Sequence, residues 1–205
     1  MVQPRPGDQR LSRPTANAPA LHPRAAAPNP RPLPMDLTTL IRDVPDFPKP
    51  GVTFKDITPL LANPAGLAMA VERMANPFRG KGVELVCGAE SRGFIFGTAI
   101  AQALSAGFVP IRKPGKLPAE TRSMSYDLEY GQDTLHIHAD AIAPGQKVLM
   151  VDDLLATGGT LKACLDLIDQ LGAQVVGVTV AIELMFLNGR SKIKPYDQVH
   201  SVVQY

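Results

Sequence analysis

The stretch from Val148 to Thr160 holds the residue types and spacing best suited to chemistry in this sequence. It reads Val148-Leu-Met-Val-Asp-Asp-Leu-Leu-Ala-Thr-Gly-Gly-Thr160. Its apolar run predicts a buried strand, and the carboxyl end of that strand delivers Asp152 and Asp153 to the crevice where open α/β sheets bind ligands. A glycine pair then opens a helix, where the unpaired backbone amides and the helix dipole favour an anion. The pattern predicts a pocket for a phosphomonoester.

The side chains of this stretch indicate which phosphate it takes. The threonines add hydroxyl donors, whereas the two aspartates would be repelled by phosphate and so accept hydrogen bonds from sugar hydroxyls or help to hold a cation. A phosphate with a diol beside it describes a ribose 5-phosphate. The alternative is a plain strand-to-helix turn with capping acids; no dinucleotide-type glycine motif follows this strand, and no P-loop motif occurs in the sequence. The predicted binding residues are Asp152, Asp153, Ala156, Thr157, Gly158, Gly159 and Thr160.

The same stretch resembles the signature with which type I phosphoribosyltransferases bind 5-phosphoribosyl 1-pyrophosphate (PRPP). Further segments are similar to the adenine-specific members, in the family's order: Pro45–Gly51, Glu90–Gly97, Ile111–Pro118, Ser125–Gly131 and the closing Ser201–Tyr205. The resemblance covers residues 36–205. It implies a parallel-sheet α/β fold with a Rossmann-like core and a small N-terminal hood that binds the base. It also implies transfer of ribose 5-phosphate from PRPP to adenine, giving AMP and pyrophosphate.

Displacing pyrophosphate from an anomeric carbon passes through an electron-poor centre, so cations must neutralise the leaving anion. Arg92 follows a strand at a helix start, where its guanidinium can clamp phosphate oxygens. Arg112, Lys113 and Lys116 add three charges in one loop, which by itself would be a solvated basic turn. The resemblance implies that this loop reaches the pyrophosphate of the neighbouring subunit in a homodimer. Mg²⁺ should bridge the pyrophosphate oxygens, bound mainly through PRPP, and no protein metal ligand is predicted.

A purine must move a ring proton as its nitrogen attacks, and a carboxylate within hydrogen-bond reach assists that transfer. We predict this role for Glu129, and Tyr130 could line the closed site. The residues alone equally describe a surface acid on a hairpin; the resemblance identifies the segment as the family's mobile catalytic loop, which closes over bound substrates. In hypoxanthine-guanine relatives, an aspartate in place of Ala156 can act on the base. Alanine cannot, so another group must assist the proton transfer here.

Adenine presents an amine donor beside a ring acceptor, a pair that one carbonyl and one amide of an extended segment can read. The segment from Val52 to Lys55 is placed for this, with Phe54 as either a stacking surface or a core aromatic. Some relatives carry arginine in place of Lys55, and we expect little consequence because recognition is inferred to use the backbone. Other members carry different residues in place of Glu90, which leaves its role open.

Strands alternating with helices predict right-handed crossovers and a parallel sheet. Strands are predicted at 83–87, 108–111, 147–151 and 174–182, an alternating strand at 134–138, and helices at 64–75, 93–104 and 159–171. A short helix is predicted from 36 to 42, and residues 112–132 are polar and rich in turn residues.

Composition excludes several classes of protein. With 205 residues, 45% of them hydrophobic and 20% charged, the chain can bury a sizeable core. No apolar run approaches the roughly 18 residues of a membrane span. Cys87 and Cys164 lack metal-type spacing and are predicted to be buried thiols in a reducing cytoplasm. His136 and His138 share a strand face, but with no third ligand in view a structural role is favoured over a metal site.

Residues 1–34 contain nine prolines and five arginines against a single aspartate. They cannot bury enough surface to offset ordering entropy, so we predict a disordered tail and a single domain from 35 to 205. An organellar transit peptide is the less favoured alternative because the segment has one serine and no amphipathic stripe. Another interpretation is that Met35 is the biological start.

Two other functions stay open. One is transfer to a different purine, such as hypoxanthine, guanine or xanthine. The other is a PRPP-responsive regulator that binds nucleic acid. Such a regulator should carry a helix-turn-helix or a basic face. The chain has a net charge of +2, and residues 1–34 account for +4 of it, so residues 35–205 carry a net charge of −2. We therefore predict no nucleic-acid partner and no membrane partner.

Overall fold

The computed structural model describes residues 35–127 and 132–205. The predicted tail and the predicted Glu129 and Tyr130 lie outside the described residues. Within the two described ranges, none of the helices combines the length and the apolar character needed to cross a membrane.

The secondary structure alternates strands and helices along the chain, as predicted. In order, the elements are β1 (Arg42–Val44), β2 (Phe54–Asp56), α1 (Thr58–Ala62), α2 (Pro64–Ala75), β3 (Leu85–Ala89), α3 (Gly93–Leu104), β4 (Gly107–Ile111), β5 (Thr121–Asp127), β6 (Gln132–His138), β7 (Lys147–Leu155), α4 (Gly159–Gln170), β8 (Gln174–Glu183) and β9 (Val199–Gln204). Short 3₁₀ turns occur at Leu37–Leu40, Asn76–Phe78, Met185–Leu187 and Gly189–Ser191.

A five-stranded sheet lies at the centre, in the order β4-β3-β7-β8-β9, and every neighbouring pair in it is parallel. Side chains of β7 alternate between its two faces. Val148 and Met150 enter the core under α4, while Leu149 and Val151 enter the core under α2 and α3. All four are fully buried, so β7 is the spine shared by both cores.

Two antiparallel pairs flank the sheet. In the first, β1 pairs with β2 in the register Arg42 to Asp56, and together they form the small N-terminal hood. In the second, β5 pairs with β6, and Leu135 and Ile137 of β6 fill the core beside α4. Both pairs lie outside the parallel sheet.

Three expectations about the elements are corrected by the structure. The predicted helix over 36–42 is a 3₁₀ turn at Leu37–Leu40 followed by β1. The polar region 112–132 contains β5, whose seven residues all pair with β6. Among the side chains described at 121–126, Met124 and Tyr126 pack on the core. β7 continues past residue 151 because β8 pairs with it as far as Leu155 opposite Glu183. All three differences involve strand pairing between distant residues, which the local sequence pattern does not reveal.

The two cysteines and His136 belong to the scaffold. Both thiols are buried and free, and burial raises the pKa of Cys87 to about 12. His136 contacts Thr121 through Nδ1 at 3.0 Å and bonds to Arg112 through its backbone. Within residues 35–127 and 132–205, no three His, Cys, Asp or Glu side chains are grouped to hold a metal.

Candidate active site

The carboxyl ends of β3 and β7 border one cavity of about 220 Å³. Residues 90–92, which join β3 to α3, form one side of it. The acid pair of β7 and the residues 156–160, called the glycine loop below, form the other. This is the sheet edge at which the sequence placed the phosphate pocket, and all seven residues predicted to bind the sugar phosphate line it.

The glycine loop presents bare backbone at the start of α4. Gly158 precedes the helix with φ +83°, a left-handed conformation that favours glycine. Among the described residues, no side chain caps this helix start, so its first amides are left for a ligand. An uncapped helix N-terminus combines free N–H donors with the positive end of the dipole. The geometry can therefore hold a phosphate.

Gly158 is also packed tightly from behind. A Cβ on Gly158 would lie 2.5 Å from the carbonyl oxygen of Gly189, and a Cβ on Gly189 would overlap the carbonyl oxygen of Ala156. The backbone of the glycine loop and the backbone at residue 189 are thus in direct contact. Sequence analysis missed Gly189, because its partner lies about thirty residues earlier in the chain and the only local signal was a glycine after β8.

Asp152 and Asp153 are both buried, at 8% and 5% exposure. The backbone N–H of Asp153 donates to Oδ1 of Asp152 at 2.9 Å. Burial raises the pKa of Asp152 well above its usual range, and the neighbouring Asp153 raises it further. Burial also raises the pKa of Asp153, but Arg92 opposes that shift. The free site thus holds two acids that are reluctant to ionise together.

Asp153 lines the cavity and has a buried carboxylate oxygen, Oδ2, without a hydrogen-bond donor in the described residues. Arg92 Nε lies 3.1 Å from Asp153 Oδ2, close enough for an ion pair. In the described ranges, however, no donor reaches this buried oxygen with hydrogen-bond geometry. A buried acceptor without a donor is costly, and a hydroxyl of a bound sugar would satisfy it.

Arg92 joins the acid pair to the aromatic ring of the hood. It stands at the start of α3, and its guanidinium carbon lies 4.9 Å from the centre of the Phe54 ring. Phe54 also meets Phe47 edge to face, with ring centres 5.2 Å apart. Phe54 is half-buried and belongs to neither core. This supports the stacking interpretation of Phe54 over the core interpretation.

Strand alternation turns Lys55 away from Phe54. Lys55 Nζ lies 2.7 Å from Asp43 Oδ1 and 3.6 Å from the centre of the Tyr205 ring. It therefore anchors β2 to β1 and to the last residue of the chain. Val52 uses both of its backbone groups within the preceding turn, since its amide donates to Lys49 and its carbonyl accepts from Phe47. Base recognition by backbone would then fall to residues 53–55.

The basic loop after β4 is held by acids of its own chain. Glu90 Oε2 accepts from the backbone N–H of Lys113 at 2.9 Å and lies 3.3 Å from Arg112 Nε. Those contacts, with the Lys113 amide first, lower the pKa of Glu90. Lys113 Nζ pairs with Asp133, while Lys116 is exposed. Glu90, whose role the sequence left open, thus ties the basic loop to the end of β3, and Lys116 is the loop cation best placed for solvent or a partner.

The strained acid pair leads to a prediction about stability. Asp152→Asn keeps the oxygen that accepts from Asp153 N but removes a charge that burial disfavours. Because the pKa of Asp152 is raised in the folded state, its ionisation destabilises the fold as pH rises above the ordinary aspartate value of about 4. We expect the substitution to add about 0.5–2 kcal/mol of stability at pH 7 while lowering activity. At pH 3 the gain should vanish because the native carboxyl is already neutral.

Thermal unfolding at the two pH values checks this, with Asp140→Asn as the control because Asp140 is exposed. A variant that is less stable than the native protein at pH 7 would contradict the prediction.

Comparison with known proteins gives consistent results. A family profile described as a phosphoribosyl transferase domain matches residues 57–204. The adenine phosphoribosyltransferase of Rhodopirellula baltica is 57% identical over 171 residues, which is 83% of this chain and 82% of that protein. The crystal structure of the adenine phosphoribosyltransferase from Thermoanaerobacter pseudethanolicus superposes with a TM-score of 0.80 at 48% identity, covering 82% of this chain and 98% of the other. The Saccharomyces cerevisiae enzyme, solved in complex with an imino-altritol bisphosphate and adenine, gives a TM-score of 0.75 at 39% identity, covering 81% and 96% of the two chains.

Proposed function

Because the chain belongs to the phosphoribosyltransferase family, and within it to the adenine phosphoribosyltransferases, we propose that PRPP binds in the cavity at the glycine loop. The enzyme transfers the ribose 5-phosphate of PRPP to adenine, giving AMP and pyrophosphate. One observation supports the proposed site: the uncapped start of α4 borders the same cavity as Asp153, whose buried Oδ2 has no hydrogen-bond donor in the described residues. A ribose 5-phosphate needs N–H donors for its phosphate and a hydrogen-bond acceptor for its hydroxyls, and one side of the cavity supplies both.

In this arrangement each end of the substrate has a partner. The 5-phosphate lies on the amides and hydroxyls of the glycine loop, and the ribose hydroxyls donate to Asp152 and Asp153. Arg92 faces the pyrophosphate end, and the base stacks on Phe54. Arg92 contacts both Asp153 and Phe54, so it lies where the leaving group, the sugar and the base would meet.

The reaction exchanges one bond at the anomeric carbon for another. The bond from that carbon to the pyrophosphate oxygen breaks and its electron pair leaves with pyrophosphate, while a ring nitrogen of adenine donates the pair that forms the new bond. The nitrogen's proton passes to a carboxylate, for which we propose Glu129. Positive charge develops on the sugar between these events. Asp153, whose ionisation Arg92 favours, would stabilise that charge because it is held in place in a low-dielectric site.

We propose that a magnesium ion binds this site together with the substrate. Within the described ranges no three ligand side chains are grouped, so protein groups alone do not form a cage. Among the described residues, three carboxylates line the cavity, those of Glu90, Asp152 and Asp153. When bound, the ion would neutralise charge on the pyrophosphate oxygens. Loss of turnover in a chelator, restored by added Mg²⁺, tests this; unchanged turnover would contradict it.

We also propose that the enzyme works as a homodimer in which the basic loop, through Lys116, serves the neighbouring site. Mixed subunits test this. Lys116→Ala and Arg92→Met each disable a different half of the site, so a hybrid dimer retains one complete site if the loop acts across the interface. About a quarter of the native activity should return when the two variants are dissociated and reassembled together. No recovery would place the loop at its own subunit's site.

The buried free thiols suit a reducing compartment, and we propose a cytoplasmic location on that basis. Cell fractionation would overturn this if the protein were recovered in an oxidising compartment.

A spectrophotometric assay with PRPP, Mg²⁺ and a panel of purines tests the base specificity. Adenine should be consumed with a kcat/KM well above the values for hypoxanthine, guanine and xanthine, because the adenine amine and ring acceptor match one carbonyl and one amide of the hood. Equal rates for a 6-oxopurine would contradict backbone recognition at residues 53–55.

Glu129→Gln tests the proton acceptor. The amide keeps the size of the side chain but has no basic oxygen, so kcat should fall roughly 100-fold while the KM for PRPP changes little. Steady-state rates over a range of both substrates measure this. Glu120→Gln serves as the control because Glu120 is an exposed acid just before β5. Native turnover in Glu129→Gln would remove this residue from the mechanism.

A further inference from the structure

The turn of residues 188–192 packs against the glycine loop and is called the support turn below. Its Gly189 carbonyl lies 2.5 Å from where a Cβ on Gly158 would stand, and Lys192 Cβ lies 3.3 Å from the same point. The Gly189 backbone in turn touches Ala156. No side chain separates the two backbones, so a shift of the support turn would displace the loop amides directly.

An ion pair between the half-exposed Arg190 and the buried Glu183 holds the support turn to the sheet. Arg190 Nε and Nη2 each donate to Glu183 at 2.6 Å, one to each carboxylate oxygen. Ser201 Oγ, on β9, donates to Glu183 Oε2 at 2.6 Å. The Glu183 side chain is only 3% exposed, and its bonds from Arg190 lower its pKa. The last residue of β8 therefore fixes the residue that follows Gly189.

The geometry of this pair suits positioning rather than general stability. Two parallel N–H···O bonds fix both the distance and the angle of the guanidinium, which a single point charge cannot do. Arg190 neighbours Gly189 in the chain, so the fork sets where the Gly189 carbonyl meets Gly158. Neither charged side chain lines the cavity, so neither contacts the substrate there.

We propose that Glu183 and Arg190 are positioning residues for the glycine loop, which set the distance between its amides and the 5-phosphate of PRPP through the Gly189–Gly158 backbone contact. This inference rests on the proposed phosphate site. It predicts that damage to the pair weakens binding of phosphate-bearing ligands selectively and leaves binding of the base unchanged.

Arg190→Lys tests the proposal because it keeps the charge opposite Glu183 but loses the fork. We expect the KM for PRPP to rise roughly 10- to 100-fold, since a displacement of about 1 Å at a binding group has effects of that size. The KM for adenine should stay within about twofold of the native value. An unchanged KM for PRPP would overturn the proposal.

Arg79→Lys is the matched control. Arg79 also bonds a carboxylate, Glu72, at 2.7 Å, and its side chain is 44% exposed against 40% for Arg190. It joins the end of α2 to Ala103 of α3, away from the cavity. A variant that only loses stability has a lower melting temperature or a smaller active fraction. Its apparent kcat then falls, but the KM for one substrate does not rise selectively. The control should therefore show stability effects only; a selective rise in the KM for PRPP there would overturn the proposal.

Calorimetric binding of AMP and adenosine gives a readout independent of turnover. The native enzyme should bind AMP more tightly than adenosine, and Arg190→Lys should reduce that ratio about tenfold or more. If the native enzyme does not distinguish the two ligands, the phosphate site itself is misassigned. If it does and Arg190→Lys keeps the native ratio, only the positioning role is wrong. Should Arg190→Lys fail to fold, Ser201→Ala, which removes one bond to Glu183, should reduce the ratio less but in the same direction, and an unchanged ratio would overturn the proposal.

Discussion

Gly158→Ala should reduce kcat/KM for PRPP roughly 1,000-fold, a loss of about 4 kcal/mol in transition-state binding. The new methyl group would lie 2.5 Å from the Gly189 carbonyl oxygen, which is backbone and cannot rotate away. Alanine also disfavours the φ of +83° found here. Either the loop moves away from the support turn or Gly158 leaves its conformation, and both movements misdirect the amides that bind the phosphate.

Gly145→Ala separates crowding from backbone strain. Gly145 has the same φ of +83°, but a Cβ there would meet nothing within 4 Å. It should cost about 1–2 kcal/mol of stability and leave the KM for PRPP unchanged. Steady-state kinetics and thermal unfolding of the two variants make the comparison. Near-native kcat/KM in Gly158→Ala would show that the close contact is not needed for binding.

Arg92→Met should lower kcat/KM about 100- to 1,000-fold, the usual cost of removing one charge-stabilising donor from an active site. A second effect follows from the ion pair with Asp153. Arg92 lowers the pKa of Asp153 against the effect of burial, so its removal lets that pKa rise. If the ionised carboxylate is the active form, the acidic limb of the residual activity moves to higher pH. The variant should therefore recover part of its loss as the pH is raised.

Arg92→Lys is the companion variant, because lysine keeps a positive charge near Asp153 but not the planar fork. It should retain the native pH profile with an intermediate loss of rate. Arg122→Met, on an exposed site of β5, controls for the loss of an arginine elsewhere. A native pH profile in Arg92→Met would show that Arg92 does not govern the ionisation of Asp153.

The sequence was sufficient wherever a few neighbouring residues decide the structure. The predicted start of α2 at residue 64 was correct, and Asn63 caps it because its Oδ1 accepts from the Gly66 amide at 2.9 Å. The limits of α3 at residues 93 and 104 were likewise correct. The glycine loop was predictable because the strand, the acids and the helix start are contiguous, so no distant residue had to be known.

Features made by distant residues were not predictable in the same way. The strand β5 was missed because it depends on pairing with β6, and its own residues are mostly polar. The bond between Glu183 and Arg190 spans seven residues through a 3₁₀ turn, a spacing with no helical or strand periodicity. The backbone contact of Gly158 with Gly189 joins two parts of the chain that only the finished sheet brings together.

The shared spine also restricts how this protein can be redesigned. Since successive side chains of β7 serve opposite cores, deleting or inserting one residue between 148 and 151 would send each later side chain into the wrong layer. Asp152 and Asp153 would exchange sides in the same step. Point substitutions can therefore tune this segment, whereas length changes there would scramble both interiors and the acid pair at once, so loop grafting should be confined to other segments.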